Sequence, residues 1–479
     1  MPRKRIIVFC LLICPWISVQ AAQDLMEIYS LALENDPTLK AAYANRQAVG
    51  ESKDQSIAQM LPTVTGSLST SKNWLSNEKG FGASAIVSGS GTQNFFNNQF
   101  SLNLVQPVFH YEHWVQLSQT DNQIAQAEAQ YQAEVQNLMF RTAKAYFDVL
   151  SALDNVEFRK AEKKSIGRQL EQAQQRFKVG LIAITDVYEA QAGFDQAISN
   201  VIAAENEVDN AKERLREIIG ATNTAELASL GEQLPLTEPQ PTDIEEWSKN
   251  AILNNLNVIA AINGTEVIKK TIELQRSGHY PTLDVVGSYG LTDNTATFGL
   301  RGNRQSIGLQ LNVPLFEGGA VNSRTRQAQY QYNQAQDQLI ATKRSVNRQV
   351  KDAYRGVISS ISRVKALKAA VVSGKSSLKA TEAGFEVGTR TMVDVLAATR
   401  NLFDAKTKYS QTRYDYILNG LALKQAASSL RQEDLEVVNN FLKSKVCRVP
   451  CDYIPKRSYP LFRTRQILND WLTQNLEEA

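Results

Sequence analysis

Two hydrophobic spacings divide this chain. Phe100, Leu102 and Leu104 alternate with Ser101 and Asn103, and Ile307, Leu309, Leu311 and Val313 alternate with Gly308, Gln310 and Asn312. Period two is the strand period. The preceding segments, about 61–72 and 282–291, are rich in Thr, Ser, Val, Tyr and Gly and read as their hairpin partners. Downstream the period changes. Leu138, Thr142, Ala145, Val149, Ala152 and Val156 are spaced alternately four and three apart, as are Val346, Val350, Ala353, Val357, Ser360 and Val364. That spacing is a coiled-coil seam. It predicts strands at about 61–72, 99–106, 282–291 and 305–313. It predicts long helices at about 112–178 and 319–386, and return helices at about 186–219 and 394–430.

Proline placement fits those lengths. None falls between Pro107 and Pro235, or between Pro314 and Pro450. Proline costs about 3 kcal/mol in a helix interior, so such runs suit very long helices. A helix of roughly 65 residues spans ~100 Å. Pairs of matching residues recur 208 positions apart: Ala145-Tyr146 with Ala353-Tyr354, Phe177-x-Val179-Gly180 with Phe385-x-Val387-Gly388, and Asp186-Val187 with Asp394-Val395. The chain reads as two copies of one unit. Residues 22–225 form the first and 243–445 the second, joined by a linker at 226–242. Gln119, Gln123, Gln126 and Gln130 make a polar stripe, repeated at Gln327, Gln331, Gln334 and Gln338. It reads as a wet face, turned either to bulk solvent or to a lumen.

Charge and targeting narrow the class. Arg3, Lys4 and Arg5 precede an apolar run interrupted by Pro15, and small residues at Val19 and Ala21 suit cleavage after Ala21. Ile13 before Cys14 argues against lipidation. Loss of 1–21 removes three positive charges and lowers the formal charge from +3 to 0, which gives nucleic acid no electrostatic attraction. No later run has about 18 consecutive apolar residues, so any membrane crossing must use strands. Strands of about ten residues with alternating polarity suit an outer-membrane barrel. The Gly/Ser/Asn-rich segments 73–99 and 292–306 suit external loops, and Phe109, Tyr111, Trp114 and Phe316 an interfacial girdle. Four strands cannot close a barrel, because open edges are not tolerated in lipid and the smallest barrels have about eight strands. Several chains must therefore share one barrel. The strand count alone does not say how many.

With these features together, the chain resembles the TolC-type outer-membrane efflux channels over nearly the whole mature sequence. The resemblance is carried by Arg176-Phe-Lys-Val-Gly-Leu-Ile-Ala-Ile-Thr-Asp-Val187, by Val387-Gly-Thr-Arg-Thr-Met-Val-Asp-Val-Leu396 and by the corner Leu311-Asn-Val-Pro-Leu-Phe-Glu-Gly-Gly319. It implies a mixed membrane protein: a homotrimer with a shared twelve-stranded transmembrane β-barrel, four strands per chain, continuous with a long periplasmic α-helical barrel. It also implies a periplasmic adaptor and an inner-membrane pump of resistance-nodulation-division or ABC type as partners, with outer-membrane lipid around the barrel. Drugs or secreted proteins would be the cargo.

The resemblance assigns roles to residues. The glycine turns Val179-Gly180-Leu181 and Val387-Gly388-Thr389 would be adaptor-contacting tips. Asp394 would supply an acidic ring at the periplasmic entrance. Where the family pattern has a second acidic ring one turn on, this chain has Ala397, which implies weaker cation binding. Thr185, Asp186 and Arg390 match gating links. Phe385 stands where the family pattern has Tyr, so it cannot hydrogen-bond Asp186, and Arg390 is expected to carry more of the closed-state restraint. Asp186 and Glu189 also have capping-box spacing, which is the plainer reading of that carboxylate.

The remaining candidates are weaker. Cys447 and Cys451 suit a small disulfide in an oxidising compartment, within a proline-bearing tail at 446–479. His110 and His113 have ligand spacing but no third donor evident in sequence, so no metal or other cofactor is expected. No Gly-x-x-x-x-Gly-Lys or His-Glu-x-x-His motif occurs, and the three histidines accompany no evident nucleophile, so an enzyme is not expected. A periplasmic adaptor or a coiled-coil spacer would leave the alternating strands unexplained.

Overall fold

The computed structural model describes residues 23–75, 93–220, 226–231, 234–295 and 300–443. The signal segment, the greater part of the first external loop, and the tail with Cys447 and Cys451 lie outside the described residues. Three helices, α1 (Leu25–Asn35), α2 (Pro37–Gly50) and α3 (Ser52–Ala58), lead into a hairpin of β1 (Thr63–Leu75) and β2 (Gln93–Phe109). Helix α4 (Tyr111–Lys178) and its return α5 (Ile184–Ile219) follow, then the short strand β3 (Ser229–Leu230). Helices α6 (Ile244–Asn254) and α7 (Leu256–Arg276) precede a second hairpin, β4 (Thr282–Asn294) and β5 (Arg301–Asn312). The chain continues through α8 (Ala320–Glu386), α9 (Met392–Ala426), α10 (Gln432–Asn439) and β6 (Leu442–Lys443).

Helices α4 and α8 have 68 and 67 residues, each about 100 Å long at 1.5 Å per residue. Each packs on its return helix, α4 on α5 and α8 on α9, and α4 also lies along α7 and α9. Of the seam residues, Leu138, Thr142, Ala145, Val149 and Ala152 in α4 and Val346, Val350, Val357, Ser360 and Val364 in α8 are buried, while Val156 and Ala353 are half-buried. The widest core lies mid-length, where α1, α4, α5, α9 and α10 close around Tyr146, Phe147 and Leu215. There Tyr146 donates to the Ala228 carbonyl at 2.8 Å, and β3 pairs with β6. Burial pushes the Tyr146 phenol up, well clear of neutral pH.

The first glutamine stripe departs from the wet face expected from sequence, while the second does not. Gln327, Gln331, Gln334 and Gln338 are exposed on α8, but Gln119 is buried under α7. Its amide donates to the Val267 carbonyl at 2.8 Å and to Thr271 Oγ1 at 2.9 Å. A glutamine stripe is equally suited to water and to a neighbouring helix, and α7 decides it for Gln119.

The four longer strands form one antiparallel sheet in the order β1-β2-β4-β5, leaving β1 and β5 as edges. Register sorts the faces. Val64, Leu68, Phe100, Leu102, Leu104, Leu291, Ile307, Leu309 and Leu311 share one side. The opposite side carries Ser67–Ser101 and Ser288–Ser306, hydroxyl pairs at 2.7 Å. The apolar side is bare: Leu68 is 80% exposed and Ile307 82%. Among the described residues no helix is long and apolar enough to cross a membrane.

Candidate functional site

At the ends of the long helices farthest from the sheet, the chain turns through glycine. Gly180 has φ 76° and Gly388 φ 79°, conformations that cost an L residue roughly 1–2 kcal/mol and glycine little. Each turn closes its helix in the same way. The Gly180 and Leu181 amides donate to the Phe177 and Arg176 carbonyls at 2.9 Å. The Gly388 and Thr389 amides donate to the Phe385 and Gly384 carbonyls at 3.2 and 2.8 Å. Both patterns satisfy carbonyls that the helix end would otherwise orphan. They leave Val179, Leu181 and Val387 exposed by 69, 72 and 75%.

The two return helices start differently. In α9 the N-cap is Thr391. Its Oγ1 accepts from the Asp394 amide at 3.3 Å, while Asp394 Oδ2 accepts from the Thr391 amide and hydroxyl at 2.9 and 3.0 Å. This is a reciprocal capping box. Those hydrogen bonds, with Arg390 nearby, hold the Asp394 carboxyl below the usual carboxylate range. In α5 the N-cap is Ala183, which has no side-chain acceptor. Asp186 is not the cap, as its spacing to Glu189 had suggested, but the third residue of the helix, with its amide bonded to the Ala183 carbonyl at 3.2 Å.

A small apolar cluster binds the two hairpins just above the turns. Ile166, Leu170 and Ala173 of α4, Ala190 and Ala197 of α5, and Met392 and Leu396 of α9 are buried together, with Phe385 packed against them. The Arg176 guanidinium lies over the Phe385 ring, 5.2 Å from its centre. Polar ties continue up the α4–α9 seam. Gln169 donates to Thr399 Oγ1 at 3.0 Å, and Arg159 bridges Glu162 at 2.8 Å and Asp404 at 3.1 Å. Tyr414 donates to Asp154 at 2.8 Å, where Ser410 also bonds.

Of the sequence-predicted residues, Thr185, Asp186, Phe385, Arg390 and Asp394 all fall at this end. Arg390 runs across Gly384, with its Cγ 2.7 Å from where a Cβ on that glycine would stand. Among the described residues no hydrogen bond or ion pair within the protomer joins Thr185, Asp186 and Arg390 to one another. Asp394 Oδ1 is likewise left open, and Ala397 on the next turn is exposed. Arg176, Gln169, Thr399 and Asp404 were not singled out from sequence. Arg176 alone had a signal, since it begins the glycine-turn motif that ends at Val187.

The model for outer membrane efflux proteins matches residues 28–221 and 247–429. Outer membrane protein TolC of Vibrio cholerae is 40% identical over 427 residues, covering 88% of this chain and 94% of that protein. Alkaline protease secretion protein AprF of Pseudomonas aeruginosa is 28% identical, covering 87% of each. Among solved structures, the Campylobacter jejuni CmeC outer membrane channel superposes with a TM-score of 0.72 at 16% identity, covering 88% of this chain and 90% of that one. That likeness is one of fold.

Proposed function

The chain belongs to the outer membrane efflux protein family, and on that premise we propose that it is the outer-membrane exit duct of a tripartite export system. The observation that carries this reading is the sheet: one bare apolar face, one hydroxyl-lined face and two open edges, joined directly to helices about 100 Å long. In lipid the open edges must pair with other copies. Three copies would give twelve strands, with the hydroxyl face lining a wet lumen. The helices would continue that lumen through the periplasm. The element order, short helices then hairpin then long helix then return helix, occurs twice, which supports a duplicated unit at 22–225 and 243–445.

The periplasmic end is then the gate. Exposed Val179, Leu181 and Val387 form the surface on which an adaptor would dock, because apolar turn residues at this exposure call for a partner. An inner-membrane pump would supply cargo through that adaptor. The likeness to TolC and AprF supports both drug and protein export. Asp394, capped and held ionised, presents an open carboxylate oxygen. Three such groups around one axis would attract cations and repel anions. With Ala397 on the next turn there is no second ring. The chemistry is passage, not catalysis, and needs no cofactor.

Planar-bilayer recording of the detergent-purified chain tests this. Small cation-selective currents are expected, blocked by trivalent cations, with the block weakened at least tenfold in Asp394→Ala. Equal block in the variant would remove the ring, and absence of any conductance would remove the duct.

A further inference from the structure

A different cluster sits at the opposite end of α4, where sheet becomes helix. Strand β2 slips register against β4 between Pro107 and Phe109. Bulges of this kind re-aim the residues that follow. Here the slip delivers His110, the N-cap of α4, to Asp284 of β4, with His110 Nε2 2.9 Å from Asp284 Oδ1. His113 lies nearly one turn on, and its ring stacks on that of His110 at 4.7 Å and 11°. Glu112 reaches between them. Its Oε1 is 3.5 Å from His110 Nδ1 and 3.8 Å from His113 Nε2. No third donor was evident from sequence, although Glu112 stands between the two histidines; the fold turns its carboxylate toward both rings and sets Asp284 behind His110.

We propose that His110, Glu112 and His113 form a binding site for a divalent transition-metal ion of the zinc class, with Asp284 orienting His110. The donor atoms of the three residues all lie within 4.8 Å of one another. Neutral His110 donating from Nε2 to Asp284 turns its Nδ1 lone pair toward Glu112 Oε1, so that both atoms can serve one metal ion as donors. His113 Nδ1 is buried with no partner, so the ring's polar outlook is Nε2, toward Glu112. Both imidazoles are mostly shielded, at 16 and 18% exposure, while Glu112 at 45% leaves a route in from solvent.

The donor set selects the ion. Two imidazoles and one carboxylate with a fourth position open suit zinc, whereas calcium and magnesium want oxygen ligands. Metal–ligand distances of about 2.0–2.1 Å require the donors to close to roughly 3.4 Å apart, a movement within reach of side-chain rotation at Glu112 and His113. A helix N-terminus disfavours a cation, but Glu112 and Asp284 together balance a double positive charge. The carboxylate behind His110 is the support that metal-bound histidines commonly have. Bound metal would join the start of α4 to β4, the strand of the second hairpin.

The test is isothermal titration calorimetry of the full chain in detergent, stripped by chelator and titrated with zinc chloride. One saturable site per chain is expected. His113→Gln should lower affinity at least 100-fold and Asp284→Asn by about 10–100-fold, while His279→Gln, at the third histidine, should leave it unchanged. Each variant is first matched to the parent in size-exclusion elution. Should His113→Gln fail to assemble, Asp284→Asn and Glu112→Gln carry the test. Absence of saturable binding, or affinity indifferent to these changes, or equal loss in His279→Gln, would overturn the site.

Discussion

At the residue scale, the two periplasmic turns show how one substitution between matching positions changes chemistry. Thr391 and Ala183 both cap return helices, but only Thr391 has a hydroxyl to close the box with its acidic partner. Asp394 is consequently depressed in pKa. A depressed carboxylate favours the folded helix start above its ordinary value of 3.8, and that contribution is lost as pH falls through the lower folded value. Thr391→Val should cost about 1 kcal/mol of local helix stability, read by faster amide exchange at the start of α9. It should also raise the Asp394 pKa, so that block by trivalent cations disappears at a higher pH on acidification than in the parent. An unshifted acid midpoint would mean that the cap does not tune the carboxylate. Gly180 and Gly388 were legible in sequence because a left-handed turn leaves few residue choices. The start of α5 was not, because Asp186-x-x-Glu189 matches a capping box that the helix bypasses by beginning at Ile184. In the histidine cluster, His110, Glu112 and His113 are neighbours in sequence, but their convergence was not evident there, and the supporting Asp284 lies 174 positions from His110.

At the element scale, the long helices were visible because proline is absent and a four–three seam persists, both of which act over many residues. Strand β2 was harder to bound. It runs from Gln93 to Phe109, through Pro107, although proline is rarely tolerated inside a sheet. The register slip beside Pro107 explains that tolerance. Burial of Gln119 under α7 was hidden for another reason: an uncharged polar stripe does not say what covers it. Between elements, the contact on Phe385 comes from Arg176 on the neighbouring hairpin. A cation over an aromatic face contributes about 0.5–1 kcal/mol at an exposed site. Arg176→Ala should therefore loosen the tie between the α4 and α8 ends and raise single-channel conductance. The increase should vanish in a Phe385→Ala background, where the ring is already gone. Arg390→Ser should raise conductance in both backgrounds, because Arg390 packs on Gly384 and not on that ring. An Arg176→Ala channel identical to the parent would remove the tie from the gate.

For the whole molecule, the parts of the proposed duct form a consistent object only with other copies and lipid present. A lone four-stranded sheet with Leu68 and Ile307 as exposed as they are here would aggregate in water. Among the described residues, the outer sides of its edge strands β1 and β5 have no partner strand. The alternating polarity that made these strands recognisable also made it clear that one chain is insufficient, while the number of copies is not written in any single residue. Native mass spectrometry of the detergent-purified chain addresses this directly. The predicted result is an assembly of three chains that requires detergent to stay in solution. A monomer that remains soluble and folded without detergent would contradict the shared barrel.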